Sequence, residues 1–308
     1  MKSIIKYLIL LFLCFIATIY ILINMNNLKY FVRFEDYTPF KNKNYNEVST
    51  NFNKISSELP KIDSAIATYP FSSKLVETIY NKDSYNGELK YVSTQKAYYD
   101  IFNNLTDISI VSETNQYQRD ILNSLSGDVV AIPFAKEALI FYTNVNNTVD
   151  SLTISELNQI YNDKIQRWSE FNFQDYKINA YRLNSNIGGS EECFTKVVKL
   201  ESPNTNKKII AKDMKDIVDL VARDNGGIAY AFNLFYTKLY NRKEVKLISI
   251  NGVSPSMENI TSGNYPLMFN VYFIYRKSNS NPNIDKIINW LSTAEGKNFI
   301  KENGCMPN

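Results

Sequence analysis

Histidine is absent from the 308 residues. With it go the Ser–His–Asp arrangement, most side-chain proton shuttling and the commonest zinc ligand sets. Cysteine is scarce. Cys14, Cys193 and Cys305 are scattered without metal-ligand spacing, and Cys193 and Cys305 are expected as free thiols rather than a bridge. Charge of either sign is not in excess: 34 Lys and Arg against 31 Asp and Glu leave a formal net charge of +3. That is too little for a nucleic-acid surface. With no nucleophile–base pair to assemble, the sequence points away from an enzyme and implies no cofactor.

What is present begins at the N-terminus. Lys2 and Lys6 precede YLILLFLCFIATIYILINM, and residues 7–28 carry no charge. The strongly apolar part, residues 7–23, is near the minimum for a membrane span and close to a long signal peptide. Two preceding cations favour a cytoplasmic N-terminus and an exported remainder. The residues before Cys14, Leu11-Phe12-Leu13, lack the small side chains of a lipoprotein cleavage site. Residues 1–24 are therefore expected to be an uncleaved signal anchor, with a cleaved signal peptide as the alternative. The protein would then sit on the extracytoplasmic face of the cell membrane, or be secreted if cleaved. Residues 25–60, polar and Asn-rich, read as a stalk or linker.

From about residue 61 onward, short β-like runs alternate with amphipathic runs. KIDSAIATYPF reads as a strand entering a turn, with KLVETIYN a helix after it. ELKYVST is a strand and QKAYYDIFNNL a helix, with Tyr98, Ile101, Phe102 and Leu105 on one face. DVVAIPFAKEALIFYTN reads as two strands around Pro133, and LTISELNQIYNDK as a helix with a capping box from Thr153 to Glu156. KINAYRL, GGIAYAF, VKLISI and PLMFNVYFIYR are further strands, separated by the helices ECFTKVVKL and MKDIVDLVAR. Strands alternating with helices predict an α/β fold with largely parallel sheets, and the length predicts two of them.

Five of these pieces, in this order, resemble one family. They are DVVAIPFAKEALIFYTN, VDSLTISELNQIYNDKIQRWSEF (matching at Leu152, Thr153, Leu157, Ile160, Tyr161, Ile165 and Trp168), GGIAYAF, INGVSPSMENITSGNYPLMFNVYFIYR and WLSTAEGKNFIKENGCMPN. The chain is similar, from about residue 62 to residue 307, to type II periplasmic solute-binding proteins, specifically phosphate-binding proteins of ABC importers. The resemblance implies two α/β lobes joined by two hinge strands, with a ligand clamped in the cleft between them. It places lobe 1 at residues 61–140 and 266–308 and lobe 2 at residues 141–265. The implied partners are a small anion (phosphate or a phosphorylated compound) and ABC permease subunits, with the protein itself a monomer.

The resemblance also carries over site residues. In the first loop Ser64, Ala65, Ile66 and Ala67 fall on the family's Gly-Ser/Ala-Thr stretch, so a hydroxyl position is occupied by Ile66, and Thr68 follows two residues on. Thr94 matches the family's hydroxyl before the next helix and is equally an N-cap candidate. Ser112 stands where the family has its ligand-facing Asp, with Glu113 beside it. Asp107 matches a structural Asp. Arg182 matches the family's bidentate arginine. Gly189 and Ser190 match its helix-start donors, and Gly188 replaces a serine. Each has an ordinary structural alternative: Ile66 as packing, the 188–190 stretch as a Gly-rich loop with a serine cap. Glu191 and Glu192 complement the helix dipole. If they faced the cleft, each would oppose a bound monoanion by about 3 kcal/mol at ~5–6 Å before screening. Their direction decides between a working anion site and an envelope sensing or interaction protein with a weak or empty pocket.

Overall fold

The computed structural model describes residues 33–41, 49–112, 120, 127–184, 189–201 and 210–308. The apolar segment at residues 7–23, together with Glu113 and Gly188, lies outside them. Among the described residues no helix is long and apolar enough to cross a membrane.

The chain enters its sheet with β1 (Ile62–Ala65), whose IDSA residues are all buried. A tight turn at Ile66–Thr68 leads into α1 (Tyr69–Ile79), where Pro70 suits the first helical turn. Next come β2 (Leu89–Val92), α2 (Thr94–Phe102) and β3 (Ile108–Ser112). β1 pairs in parallel with both β2 and β3. On α2 the buried face is Ala97, Tyr98 and Ile101, while Phe102 and Leu105 are exposed. That corrects the expected face. The helix ends at Asn103, Asn104 takes φ 56°, and Leu105 is therefore off the helical period.

β4 (Val129–Asn144) is one strand of 16 residues rather than two. Pro133 interrupts nothing, because its neighbour β11 shifts register there: Val271 faces Ala135 and Tyr272 faces Pro133. The extra residue, Phe134, makes the bulge at which a strand proline is tolerated. The first half of β4 pairs with β11 (Met268–Arg276) and with the C-terminal β12 (Met306–Pro307). Its second half pairs with β9 (Gly227–Phe232) and β10 (Val245–Ile250). β4 thus runs through both lobes, and β11 starts beside the crossing, with Met268 opposite Ala138.

Between them lie β5 (Ser151–Leu152), α3 (Ile154–Tyr161) with its Thr153/Glu156 capping box, β6 (Asn179–Ala180) and β7 (Arg182–Leu183). α4 (Gly189–Val197), β8 (Ile210–Ala211) and α5 (Met214–Ala222) follow. β6 joins β9 while β7 joins β8, so KINAYRL is split between two sheets at Tyr181. A side chain at Gly226 would meet the Lys177 carbonyl at 2.2 Å, so the turn into β9 requires glycine. The chain closes with α6 (Met257–Thr261), α7 (Asn283–Leu291) and α8 (Ala294–Glu302).

The fold is α/β and two-lobed, but its sheets are mixed rather than largely parallel. β4 is antiparallel to β9, β10, β11 and β12. One core gathers Phe141, Tyr161, Trp168, Phe194 and Tyr230; a second gathers Phe71, Tyr80, Phe273, Trp290 and Phe299. Cys193 belongs to the first and Cys305 to the second, both buried and neither in a disulfide. Residues 33–41 and 49–60, read as stalk, pack onto the body. Phe34 stacks on Tyr91 at 4.3 Å, and Ile55 is buried in a backbone bridge to Tyr80.

Candidate functional site

A cavity of about 400 Å³ opens between the lobes. It is walled by the end of β1 and the turn after it, the start of α2, the end of β3, the start of α4, the start of α5 and the end of β9. Of the nine residues singled out from the sequence, Ile66, Ala67, Thr94, Ser112, Gly189 and Ser190 line it.

Two of the others stand elsewhere. Thr68 is buried behind the wall, where its hydroxyl donates to the carbonyls of Ala65 and Ile110, at 3.1 Å each. Gly188 lies outside the described residues. Arg182 does not line the cavity. Its guanidinium pairs with the Glu191 carboxylate and sits 5.3 Å from the Phe194 ring centroid.

Local sequence explains the placements. α4 begins at Gly189, so Gly189 and Ser190 form its first turn rather than a loop before it. Both are buried and line the cavity. At α2 the cap is Ser93, whose hydroxyl accepts from the Lys96 amide at 3.1 Å. Thr94 is therefore the first helical residue and not the cap, and it is among the residues lining the cavity. Asp107 is structural, accepting from the Lys61 amide and the Asn279 side chain at 2.7 Å each. Asp63 of β1 lies beside Asp100 of α2, which also takes Lys96 at 2.7 and 2.6 Å. Burial and the neighbouring Asp100 raise Asp63 to about 7.

The electrostatics turn on Glu191. Its side chain is 2% exposed and faces inward. One oxygen pairs with Arg182 and the other accepts from the Tyr230 hydroxyl, which itself accepts from the Leu183 amide at 3.1 Å. Burial is the largest single influence on Arg182 and would lower its pKa, but the charge and hydrogen bond of Glu191, with Tyr230, together outweigh it and hold the guanidinium above its ordinary range. Burial, then Glu191, pushes the Tyr230 hydroxyl well up. Beneath lies an aromatic stack, Phe194 on Tyr230 at 4.2 Å with Tyr161 edge-on to Phe194 at 4.7 Å. Glu191 thus compensates the arginine inside the protein. Glu192 stays half-buried at the surface.

Sequence reasoning missed part of the wall: Phe34, Asp213, Met214, Lys215, Phe232 and Phe235. Asp213 had a signal, an acid directly before MKDIVDLVAR. It caps α5 by accepting from the Lys215 and Asp216 amides. Lys215 bonds Asp219 at 2.7 Å. Phe34 had none, since it comes from the stretch read as stalk.

The PBP superfamily domain matches residues 61–302. The chain is 24% identical over 179 residues to the phosphate-binding protein PstS of Borreliella burgdorferi, spanning 56% of this chain and 64% of that one. It is 31% identical over 160 residues to the PstS of Staphylococcus epidermidis, spanning 49% and 48%. These matches thus span roughly half to two-thirds of the curated relatives' length. Among solved structures, a phosphate ABC transporter substrate-binding protein from Clostridium perfringens, with bound phosphate, superposes with a TM-score of 0.64 at 16% identity, covering 80% of this chain and 98% of that one. An ABC-type phosphate transport receptor from Vibrio cholerae does so at 0.58 and 17%, with the same coverage.

Proposed function

The chain belongs to the PBP superfamily, and from that premise we propose that it is an exported, membrane-tethered solute-binding protein. It holds a small oxyanion, phosphate or a phosphorylated compound, in the interlobe cleft and passes it to an ABC permease. The proposal contains no catalytic step. The observation that carries it is the convergence on one cavity of the first turns of α2 and α4, one from each lobe, with Thr94, Ser112 and Ser190. Amides at a helix start and short hydroxyls are the neutral donors an oxyanion needs. The names of the relatives support the ligand class. The charge pattern of residues 2–23 supports export and tethering.

Titration of the full chain with inorganic phosphate by calorimetry tests the reading. Saturable heat, weakened by Ser190→Val, is expected. Absence of both heat and thermal shift at millimolar concentrations of phosphate and of a phosphate monoester overturns it.

One observation favours a second reading, an envelope sensing or interaction protein with a weak or empty pocket. Arg182, the cation carried over from the family pattern, is already paired with Glu191. Under that reading no phosphoryl anion gives saturable heat.

A further inference from the structure

We propose that the cleft selects an organic phosphoryl anion, a tetrahedral phosphoryl headgroup bearing an apolar substituent, over inorganic phosphate. The inference rests on the reading of the cleft as an oxyanion site and names the class of anion.

Size is the first argument. The cavity holds about 400 Å³, within the range of sites for small organic ligands, roughly 300–1,000 Å³. Inorganic phosphate occupies only a few times the ~30 Å³ share of one water and would leave most of the space unfilled.

The second argument is chemistry of the wall. The wall carries Thr94, Ser112 and Ser190 and the starts of α2 and α4. Its larger apolar side chains are Phe34, Ile66, Met214, Phe232 and Phe235. Such a wall returns no hydrogen bonds to a hydrated anion it desolvates, whereas a hydrocarbon substituent gains by burial against it. Ile66 is the sharpest case, a branched alkyl group on the turn directly after β1.

Charge is the third. Arg182 is compensated by Glu191, and Lys215 on the cavity wall by Asp219. Asp213, also on the wall, adds a carboxylate. With its nearby cations already paired, the cleft offers little to reward extra charge on the ligand. Neutral donors and apolar contact are left to supply affinity.

The full chain is titrated by calorimetry with inorganic phosphate, phenyl phosphate, phenylphosphonate and benzoate. At least one aryl phosphoryl probe should bind about tenfold or more tighter than inorganic phosphate. Whichever of the two binds tighter separates an ester source from a phosphonate source. Ile66→Thr, at a half-buried cleft position, should raise phosphate affinity and cut the aryl preference at least about threefold; Phe235→Ala should cut it as well. Phosphate binding as tightly as the better of the two aryl probes overturns the inference and leaves the oxyanion site standing. Benzoate matching the aryl phosphoryl probes overturns the phosphoryl assignment. Silence from all four probes overturns both this inference and the oxyanion reading.

Discussion

Glu191 is the side chain on which the charge of the cleft depends. Its acidity and its place in the first turn of α4 were legible in the sequence, but its direction was not drawn out. A signal existed: positions 191, 194 and 198 share a helical face, and Phe194 and Val198 are fully buried. Once on that face, the carboxylate needed a partner, and Arg182 from β7 supplies it together with Tyr230. Replacing Glu191 by Gln keeps the shape and leaves Arg182 uncompensated. Breaking such a pair should lower the unfolding free energy by about 3 kcal/mol in urea titrations. The same change should tighten phosphoryl-anion binding about tenfold, because the guanidinium then faces no internal counter-charge. Unchanged affinity with lowered stability would leave Arg182 as a structural tie between β7 and α4 and nothing more.

At the level of elements, α2 shows what pattern could and could not supply. Its existence followed from QKAYYDIFNNL, yet the cap was assigned one residue late, because Ser93 and Thr94 are both competent caps and periodicity does not choose between them. Ser93 takes the Lys96 amide, which leaves Thr94 with a place on the cavity wall. The two roles can be separated. Ser93→Ala should cost about 1 kcal/mol of unfolding free energy. Thr94→Val should change stability by about 0.5 kcal/mol or less and weaken anion binding several-fold. If Thr94→Val destabilises as much as Ser93→Ala, then Thr94 shares the cap and its cleft role falls. β4 shows the opposite limit. Pro133 argued for two strands, since proline breaks a ladder, and only the partner strand β11 could reveal the bulge that absorbs it.

Across the whole molecule, the order of elements and the two lobes were legible because hydrophobic patterning and length act locally. The crossing between the lobes was not, because it depends on which strands meet. There β4 carries Glu137, fully buried, with the Leu234 amide donating to one oxygen at 2.8 Å. Its other oxygen has no hydrogen-bond partner among the described residues. Burial, only partly offset by that amide, raises Glu137 to about 8. The neighbouring Cys305 thiol is pushed well up by burial and then by Glu137, so it does not ionise over the same range. A carboxyl whose folded pKa exceeds its unfolded value of about 4.3 contributes stability that is full below the unfolded pKa. That contribution declines as pH rises toward 8 and is lost once the pH passes the folded pKa. Thermal unfolding midpoints of the full chain should therefore fall between pH 6 and pH 9 by more than those of Glu137→Gln, which has no proton to lose. The difference amounts to a few kcal/mol in unfolding free energy at the alkaline end. If Glu137 is instead held ionised at the crossing, the two pH curves run parallel and the glutamine variant is the less stable at every pH. The direction of the divergence thus reports the protonation state of the strand that joins the lobes. A lobe closure that repacked this crossing would shift that divergence when ligand is added.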